Sequence, residues 1–258
     1  MAISPFFYLL AQFFIQFAPA TTVVMKAPMP LNDSLVKHIY LSFDDGPLPG
    51  TANCIDICLN EKVPATFFEV GLHQSRSKYG QKLYKRILNF PNMFVLTNHS
   101  FSHAYGNYLG YYNQPDTALA DFLKAKAILK PNNNIARLPG NNAWSTQAVK
   151  RASGLVRPLV NKLDSVGFNV IGWDLQWQFN EFGRPVQSPA RMAEMVDSLF
   201  AFHKTRTKNH LVILMHDPMF RRPSDSLKLV QFIRFLTANP EHKLEKLTNY
   251  PNLKPARY

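Results

Sequence analysis

The chain contains 258 residues, with 29 Lys and Arg against 17 Asp and Glu, which gives a formal net charge of +12 with neutral histidines. A hydrophobic content of 46% excludes an intrinsically disordered chain, and two cysteines in this length exclude a small disulfide-stabilised scaffold. The positive excess favours an anionic partner such as nucleic acid, a membrane surface or an acidic glycan, although a simple shortage of acidic residues explains it equally well.

The first 20 residues carry no charged side chain, and residues 3–17 are mostly apolar. This run ends in Ala18-Pro19-Ala20, a small-x-small pattern typical of a signal-peptidase site. It is shorter than the ~20 apolar residues that a membrane span needs. We therefore expect an export signal over residues 1–20 and a secreted or cell-envelope location, with an uncleaved N-terminal anchor as the alternative.

Further along the chain, short apolar runs alternate with amphipathic stretches. The runs are rich in β-branched and aromatic residues, which predicts buried strands over residues 38–43, 65–70, 93–97, 134–136, 168–173 and 211–215. Apolar residues at helical spacing predict helices over residues 51–61, 115–130, 188–203 and 225–238. The alternation indicates an α/β fold with a largely parallel sheet, in one domain over residues 35–245 followed by an irregular tail over residues 246–258.

The end of the first predicted strand carries residues suited to catalysis. It leads into Asp44-Asp45-Gly46, and strand ends are where α/β folds collect their catalytic groups. Two adjacent carboxylates suit a metal site, because one can bind the ion while the other moves protons. A turn that only ends the strand is the simpler alternative.

Later strand ends add histidines and other polar residues. His99 and His103 follow the third strand, and their i, i+4 spacing brings two imidazoles within reach of one ion if the segment is helical. The remaining predicted strand ends are followed by Arg137 and Gly140, by Asp174, and by His216. Unrelated turns would rarely place such residues at nearly every strand end, so we expect one shared site.

The same segments resemble the sequence motifs of the polysaccharide deacetylases, the NodB-homology or carbohydrate esterase 4 family. Residues 41–47, Leu-Ser-Phe-Asp-Asp-Gly-Pro, resemble the first motif, and residues 99–103, His-Ser-Phe-Ser-His, resemble the second. Residues 137–140 resemble the third motif and residues 214–217 the fifth. The resemblance covers most of the chain and implies a distorted (β/α) barrel of the NodB-homology type.

This resemblance implies a metal-dependent hydrolase that removes acetyl groups from a carbohydrate. The expected substrates are the N-acetyl groups of N-acetylglucosamine units in peptidoglycan or a chitin-like glycan. The match of motifs implies that Asp45, His99 and His103 hold a divalent metal. Zinc is the first expectation, with cobalt, nickel, manganese and iron as alternatives.

The resemblance also assigns roles around that metal. Asp44 would be the general base, and His216, charged at the outset, would be the general acid. Arg137 would keep Asp44 ionised and oriented. A backbone N–H near Gly140 would stabilise the oxyanion. Leu214 would line a pocket for the acetyl methyl group, with an ordinary buried strand position as the alternative.

Two motifs depart from the family pattern. Gly140 stands where the third motif usually has an aromatic residue, which removes one wall of the usual substrate site. The fourth motif, residues 172–177, supplies only Asp174 where the family often has two acids and a tryptophan. We expect Asp174 to support Arg137 or His216, and Trp177 to stack on a sugar ring unless it belongs to the core.

Other functions remain open on these residues. The altered motifs allow an inactive glycan-binding relative, and the same resemblance allows an O-acetyl carbohydrate esterase. Two histidines and one carboxylate also form the ligand set of non-haem iron oxygenases, although alternating strands and helices disfavour their usual all-β scaffold. We expect a monomer that acts on an acetylated polysaccharide or oligosaccharide. An anionic cell-envelope polymer would be the partner of the excess charge, and nucleic acid would not.

Overall fold

The structure is a computed structural model that describes residues 36–255. Within that range, the strands are β1 (Lys37–Asp44), β2 (Ala65–Glu69), β3 (Phe94–Asn98), β4 (Ile135–Ala136), β5 (Trp144–Ser145), β6 (Lys150–Arg151), β7 (Asn169–Val170), β8 (Leu175–Gln176), β9 (His210–His216) and β10 (His242–Leu244). The helices are α1 (Thr51–Asn60), α2 (Gly71–Arg76), α3 (Lys78–Leu88), α4 (Tyr108–Tyr112), α5 (Pro115–Leu129), α6 (Arg157–Ser165), α7 (Pro189–Ala201) and α8 (Pro223–Ala238). Short 3-10 helices cover His103–Gly106, Asp217–Phe220 and Leu247–Asn249.

The predicted export signal at residues 1–20 lies outside the described residues. In the part of the chain that is described, no helix has both the length and the apolar character to span a bilayer.

The strands form one sheet in the order β6-β5-β7-β4-β3-β2-β1-β9-β8, with β10 paired to the start of β1. Strand β5 runs antiparallel to β6 and β7, whereas β1, β2, β3, β4, β7, β8 and β9 pair in parallel. The sheet curls into a half-barrel with β6 and β8 at the two ends of this order. The predicted α/β fold and distorted barrel in a single domain are confirmed.

Side chains on β1 alternate between two sides of the curled sheet, as the two-residue period of a strand requires. Leu41 and Phe43 belong to the larger apolar core, which they share with buried residues of α1, α7 and α8. Tyr40 belongs to a second core on the other side. Asp44 is two positions beyond Ser42 on that same inner side, so the alternation places a carboxylate at the carboxyl end of the barrel interior.

The predicted helices form with the expected starts. Ser188 caps α7 by accepting a hydrogen bond from the backbone N–H of Arg191, and proline occupies the first turn. Met192, Val196 and Phe200 recur every four residues and bury one face against the larger core. Helices α5 and α8 also begin with proline.

The predicted strand over residues 168–173 is shorter than expected. Strand β7 ends at Val170, and the chain re-enters the sheet as β8 on the far side of β9. The carbonyls of Ile171 and Gly172 accept hydrogen bonds from the Arg137 side chain. At the point where the strand was predicted to continue, these two carbonyls therefore accept hydrogen bonds from Arg137.

The C-terminal tail packs against the domain. As far as residue 255, it contains the 3-10 helix Leu247–Asn249 and is otherwise irregular after β10. Leu247 and Tyr250 are buried in the second core. The ammonium group of Lys254 contacts Asp164 and donates to the carbonyl of Phe168 at 3.0 Å. The tail therefore covers the end of the barrel away from Asp44.

Candidate active site

A fully buried ion pair lies at the centre of the candidate site. Asp44 is 2% exposed and Arg137 has no exposed surface, and Nη1 of Arg137 donates to Oδ1 of Asp44 at 2.8 Å. The guanidinium also donates to Ser42 Oγ at 2.8 Å, to the Ile171 carbonyl at 3.1 Å and to the Gly172 carbonyl at 2.8 Å. A buried charge pair is tolerated when its hydrogen-bonding capacity is satisfied, and these contacts hold Asp44 in one orientation.

Three ligand-type side chains meet beside this pair. One ligand atom from each of Asp45, His99 and His103 lies within 4.8 Å of the other two. Asp45 Oδ1 is 3.0 Å from Nε2 of His103 and 3.6 Å from Nε2 of His99. Asp45 Oδ1 is buried, yet it accepts no well-directed hydrogen bond from the described residues. Two imidazole nitrogens and an orphaned carboxylate oxygen facing one point fit a divalent metal ion.

Neighbouring groups orient these ligands. Nδ1 of His99 lies 3.0 Å from the backbone carbonyl of Arg137, so it acts as the donor and leaves Nε2 free. His73 donates from Nδ1 to the backbone carbonyl of Asp45 at 2.7 Å. Metal-binding imidazoles commonly have their second nitrogen fixed in this way, which selects the tautomer and the ring direction.

The backbone around the ligands adopts unusual conformations. Asp45, Ser100 and His103 have positive φ angles of 75°, 67° and 53°. The His99–His103 segment is therefore a turn and not the α-helical turn from which its spacing was interpreted. Ser100 Oγ accepts from the backbone N–H of His103 at 3.0 Å and closes this turn. Non-glycine residues with positive φ concentrate at functional sites, where the surrounding structure holds them.

Electrostatics inside the cluster favour the anionic form of the carboxylate ligand. Burial alone would raise the pKa of Asp45, but His103 and His99 hold it well below its usual range. Burial lowers the pKa of His99, but Asp44 and Asp45 more than reverse that effect and raise it. The cluster thus favours a charged carboxylate beside His99, which suits the binding of a cation.

His216 lies beside Asp44 because of strand register. The two residues are paired across the parallel strands β1 and β9. Burial lowers the pKa of His216, although Asp45 and Asp44 oppose this, and the lowered pKa favours the neutral imidazole over the charged form that the sequence predicts. Its Nδ1 is buried and has no hydrogen-bond partner among the described residues. The ring packs edge-on against Phe179, with centroids 5.0 Å apart.

These groups open into one cavity of about 240 Å³ at the carboxyl end of the barrel strands. Its lining residues are Asp44, Asp45, His99, His103, Tyr108, Gly140, Trp173, Gln176, Phe179, Leu214 and His216. Gly140 and Leu214, both predicted to contact substrate, are therefore at the site. The cavity is polar at its base and aromatic at its mouth, which suits a sugar derivative.

Two predicted site residues are placed elsewhere. Trp177 is fully buried in the larger core, donates from Nε1 to the carbonyl of Gln187 at 3.0 Å, and packs edge-on against aromatic rings. The carboxylate of Asp174 accepts hydrogen bonds from the backbone N–H groups of Arg206 and Val212, at 2.5 and 2.8 Å. Asp174 thus anchors a loop to β9. Its charge opposes the lowering of the Arg137 pKa by burial, as the expected supporting role requires, while backbone carbonyls accept the hydrogen bonds of the guanidinium.

Sequence reasoning missed three residues that contribute to the site. His73, assigned no role, fixes the backbone of Asp45 from the first turn of α2. Its position just after β2 could have predicted this role, because β2 also ends at the site. Tyr108 and Phe179 line the cavity from a short helix and a loop. In such segments no periodic pattern of apolar residues predicts which side chains face the cavity.

Beneath the site lies a second, fully buried pair of acids. Glu69 ends β2 and Asp217 follows β9, and both reach Gly46, where any side chain would collide with the two carboxylates. Thr51 donates to Asp217, while both Glu69 oxygens lack partners among the described residues. Burial, together with the charge of Asp217, raises the pKa of Glu69 well above its usual range, and burial also raises that of Asp217. This environment favours the protonated form of these acids.

Comparisons with known proteins agree with this geometry. A family model described as "Polysaccharide deacetylase" matches residues 32–153. The chain is 27% identical over 205 residues to a peptidoglycan-N-acetylglucosamine deacetylase of Bacillus cereus, a match covering 77% of this chain and 66% of that protein, just under two thirds. It is 24% identical over 195 residues to a chitooligosaccharide deacetylase of Rhizobium leguminosarum bv. trifolii, covering 75% of this chain and 78% of that protein.

A solved structure is similar to this chain in fold. The catalytic domain of a peptidoglycan N-acetylglucosamine deacetylase from Eubacterium rectale superposes with a TM-score of 0.61 at 24% sequence identity. The superposition covers 86% of this chain and 93% of that one.

Proposed function

We propose that the chain is a metal-dependent hydrolase that removes acetyl groups from a carbohydrate, a proposal supported by its similarity to the polysaccharide deacetylase family. The proposed substrates carry N-acetylglucosamine units, as peptidoglycan and chitin-like oligosaccharides do, and the bond cleaved is an amide. One observation carries the proposal: Asp44, held by Arg137, lines a single cavity together with the three-residue ligand cluster and His216.

Asp45, His99 and His103 would hold the ion. Three protein ligands leave coordination positions open for water and substrate, and two imidazoles with one carboxylate suit zinc. Cobalt, nickel, manganese and iron accept the same ligand types and remain alternatives to zinc in the proposal. A divalent ion held there lowers the pKa of bound water and polarises the acetyl carbonyl.

Asp44 would remove the proton from the attacking water. Its hydrogen bond from Arg137 holds the carboxylate in one orientation at the cavity, as a general base requires. The neighbouring ligand Asp45 has its own partners, so the two adjacent carboxylates divide the tasks of binding and proton transfer.

His216 would deliver a proton to the departing amine, which leaves poorly as an anion. The negative charge that develops on the substrate oxygen during attack raises the pKa of a nearby imidazole. We therefore propose that His216 takes up a proton from solvent in the open cavity and passes it to the departing nitrogen, which leaves as a neutral amine, while Asp44 holds the proton of the attacking water until it returns to solvent. Gly140 would offer its backbone N–H to that oxygen, and Leu214 would contact the acetyl methyl group.

The decisive experiment measures acetate release from N-acetylglucosamine oligosaccharides, peptidoglycan, poly-N-acetylglucosamine and acetylated xylan, with and without a chelator. We expect release from an N-acetylated glycan, loss of release with the chelator, and loss in an Asp44→Asn variant that still binds metal. Asp56→Asn is the matched control, because Asp56 is exposed and pairs only with Arg86 at the surface. Release from xylan alone would indicate an O-acetyl esterase, and no release from any substrate would indicate a glycan-binding relative.

We further propose that the enzyme is a secreted or envelope monomer. The uncharged, mostly apolar residues 1–20 support export, and the net charge of +12 supports attraction to an anionic envelope polymer. Such attraction is screened by salt. Added salt should therefore weaken binding to isolated cell walls without reducing turnover of small neutral oligosaccharides, and equal loss of both would contradict the polymer as a partner.

A further inference from the structure

A left-handed turn connects the metal-ligand segment to α4. His103, Ala104, Tyr105 and Gly106 have consecutive positive φ angles of 53°, 56°, 48° and 76°. L-residues disfavour this conformation, so three non-glycine residues in succession persist only where the surrounding structure holds them. The turn reverses the chain directly after a metal ligand and brings the next residues back toward the cavity.

The turn delivers Tyr108 to the cavity wall. Asn107 caps α4 by accepting a hydrogen bond at Oδ1 from the backbone N–H of Gly110 at 3.1 Å. Tyr108, the first residue of that helix, lines the cavity and meets the His103 ring edge-on with centroids 5.9 Å apart. About a third of its surface remains exposed, at 37%, so the ring is held in place but open to a ligand.

Gly140 makes room for this ring. A methyl group at position 140 would lie 3.2, 3.3 and 3.4 Å from Cζ, Cε1 and Cε2 of Tyr108. Three nearly equal distances mean that Gly140 faces the flat side of the ring at its phenolic end. The φ angle of Gly140 is +64°, which a side chain also disfavours. Gly140 and Tyr108 are therefore fitted to each other, and the exposed part of the ring is the surface left to bind.

We propose that Tyr108 is a substrate-contacting residue that forms the sugar-binding wall of the cavity, and that Gly140 serves to seat its ring there. This rests on the proposed function, because it assumes a glycan ligand. Aromatic faces bury the apolar C–H surface of a pyranose while leaving its hydroxyls in water. The wall stands on the metal-ligand side of the cavity, and Phe179 stands beside His216 on the other side.

The competing role for Tyr108 is to brace His103. Removing the ring would then reduce metal binding, and the loss of activity would follow the loss of metal. A role in sugar binding predicts full metal content, a raised KM and a much smaller change in kcat. Metal content together with the separate kinetic constants therefore distinguishes the two.

The first test compares Tyr108→Ala with Tyr105→Ala, a matched control in the same turn whose side chain is 72% exposed and lies outside the cavity lining. The probe is an N-acetylglucosamine tetramer, measured by acetate release and by direct calorimetric binding. We expect Tyr108→Ala to raise KM and Kd about tenfold, with Tyr108→Phe recovering most of that loss. Tyr105→Ala should match the wild type. Equal Kd values for the two alanine variants would overturn the proposal.

The second test is a double-mutant cycle with Gly140→Ala. If Gly140 serves to seat the ring, Gly140→Ala should raise Kd in the wild-type background and add little in the Tyr108→Ala background. Simple addition of the two effects would contradict that coupling. Gly140→Ala strains the backbone equally in the wild-type and Tyr108→Ala backgrounds, and thermal unfolding of both measures the stability that this strain costs. If the wild type releases no acetate the proposed function fails, while the binding measurements still decide the role of Tyr108.

Discussion

Nη1 of Arg137 donates to Oδ1 of Asp44 at 2.8 Å, where Arg137 is fully buried and Asp44 keeps only its 2% exposure at the cavity. The pair joins distant parts of the chain, since β1 supplies the carboxylate of Asp44 and the residue directly after β4 supplies the guanidinium of Arg137. The guanidinium has four further N–H protons, and two backbone carbonyls and one hydroxyl accept three of them. This arrangement makes the geometry of the proposed general base depend on the planar shape of arginine.

Replacing Arg137 with lysine should therefore impair activity while keeping the charge. A lysine ammonium cannot reach Asp44, Ser42 and both carbonyls together, so at least one buried acceptor loses its donor. We expect kcat/KM to fall about 100-fold. Arg137→Ala should in addition destabilise the fold by about 3–5 kcal/mol, because it leaves the Asp44 charge buried alone.

Arg191→Lys is the control for the Arg137 variants. Arg191 forms an i, i+3 pair with Glu194 at the surface, and both side chains are 64% exposed. Activity and denaturant midpoints should not change measurably in this variant. Activity of Arg137→Lys near that of the wild type would show that the buried pair is structural only.

Metal binding should stabilise the folded chain. An ion that binds only the native state adds about 2.7 kcal/mol when its free concentration is 100 times Kd. We expect a chelator to lower the melting temperature and added zinc to restore it. His103→Ala should abolish this response, because it removes one of three ligands. The control is His203→Asn, because His203 is exposed and asparagine tolerates its positive φ angle. The melting temperature of this variant should respond to zinc as that of the wild type does.

The buried acids Glu69 and Asp217 should make stability depend on pH. The pKa of Glu69 is raised in the folded state, so its contribution is fully present below the unfolded pKa and is lost as pH rises toward the folded value. A pKa that differs by one between the folded and unfolded states corresponds to about 1.4 kcal/mol of unfolding free energy. Glu69→Gln keeps the shape, supplies N–H donors toward Asp217 and removes one titration. Urea unfolding should show a larger gain for this variant at pH 8 than at pH 5.

Glu194→Gln is the comparison for that experiment, since Glu194 is exposed and pairs only with Arg191. Its unfolding free energy should change little at either pH. A Glu69→Gln variant that is destabilised equally at pH 5 and pH 8 would show that Glu69 is ionised in the folded protein.

The strands and the central site residues were accessible from sequence because two simple rules coincide. Strands β1 and β9 are buried and long enough for their apolar sequence to identify them as strands. Parallel pairing then brings their carboxyl ends together. Asp44 and His216 therefore meet through register alone. Long helices such as α7 are recognised by a cap, a proline and a four-residue apolar period.

Short elements gave no such information. Strand β8 has two residues, so a two-residue period cannot assign a face, and Trp177, directly after it, turned to the core and not to the cavity. The direction of Tyr108 depends on four left-handed residues before it, and its space depends on Gly140, 32 positions away. Side-chain partners of this kind arise from tertiary packing, which no local pattern encodes.

The burial of Trp177 leads to a separate prediction. Its indole packs edge-on against Phe220 and Phe232 and donates to the carbonyl of Gln187. Trp177→Phe should destabilise the fold by about 2–3 kcal/mol, through a cavity and an unpaired carbonyl, while KM stays at the wild-type value. Trp173→Phe changes an indole that does line the cavity, so it should alter KM with a smaller effect on stability. A raised KM for Trp177→Phe without loss of stability would restore the sugar-stacking role that the sequence predicted.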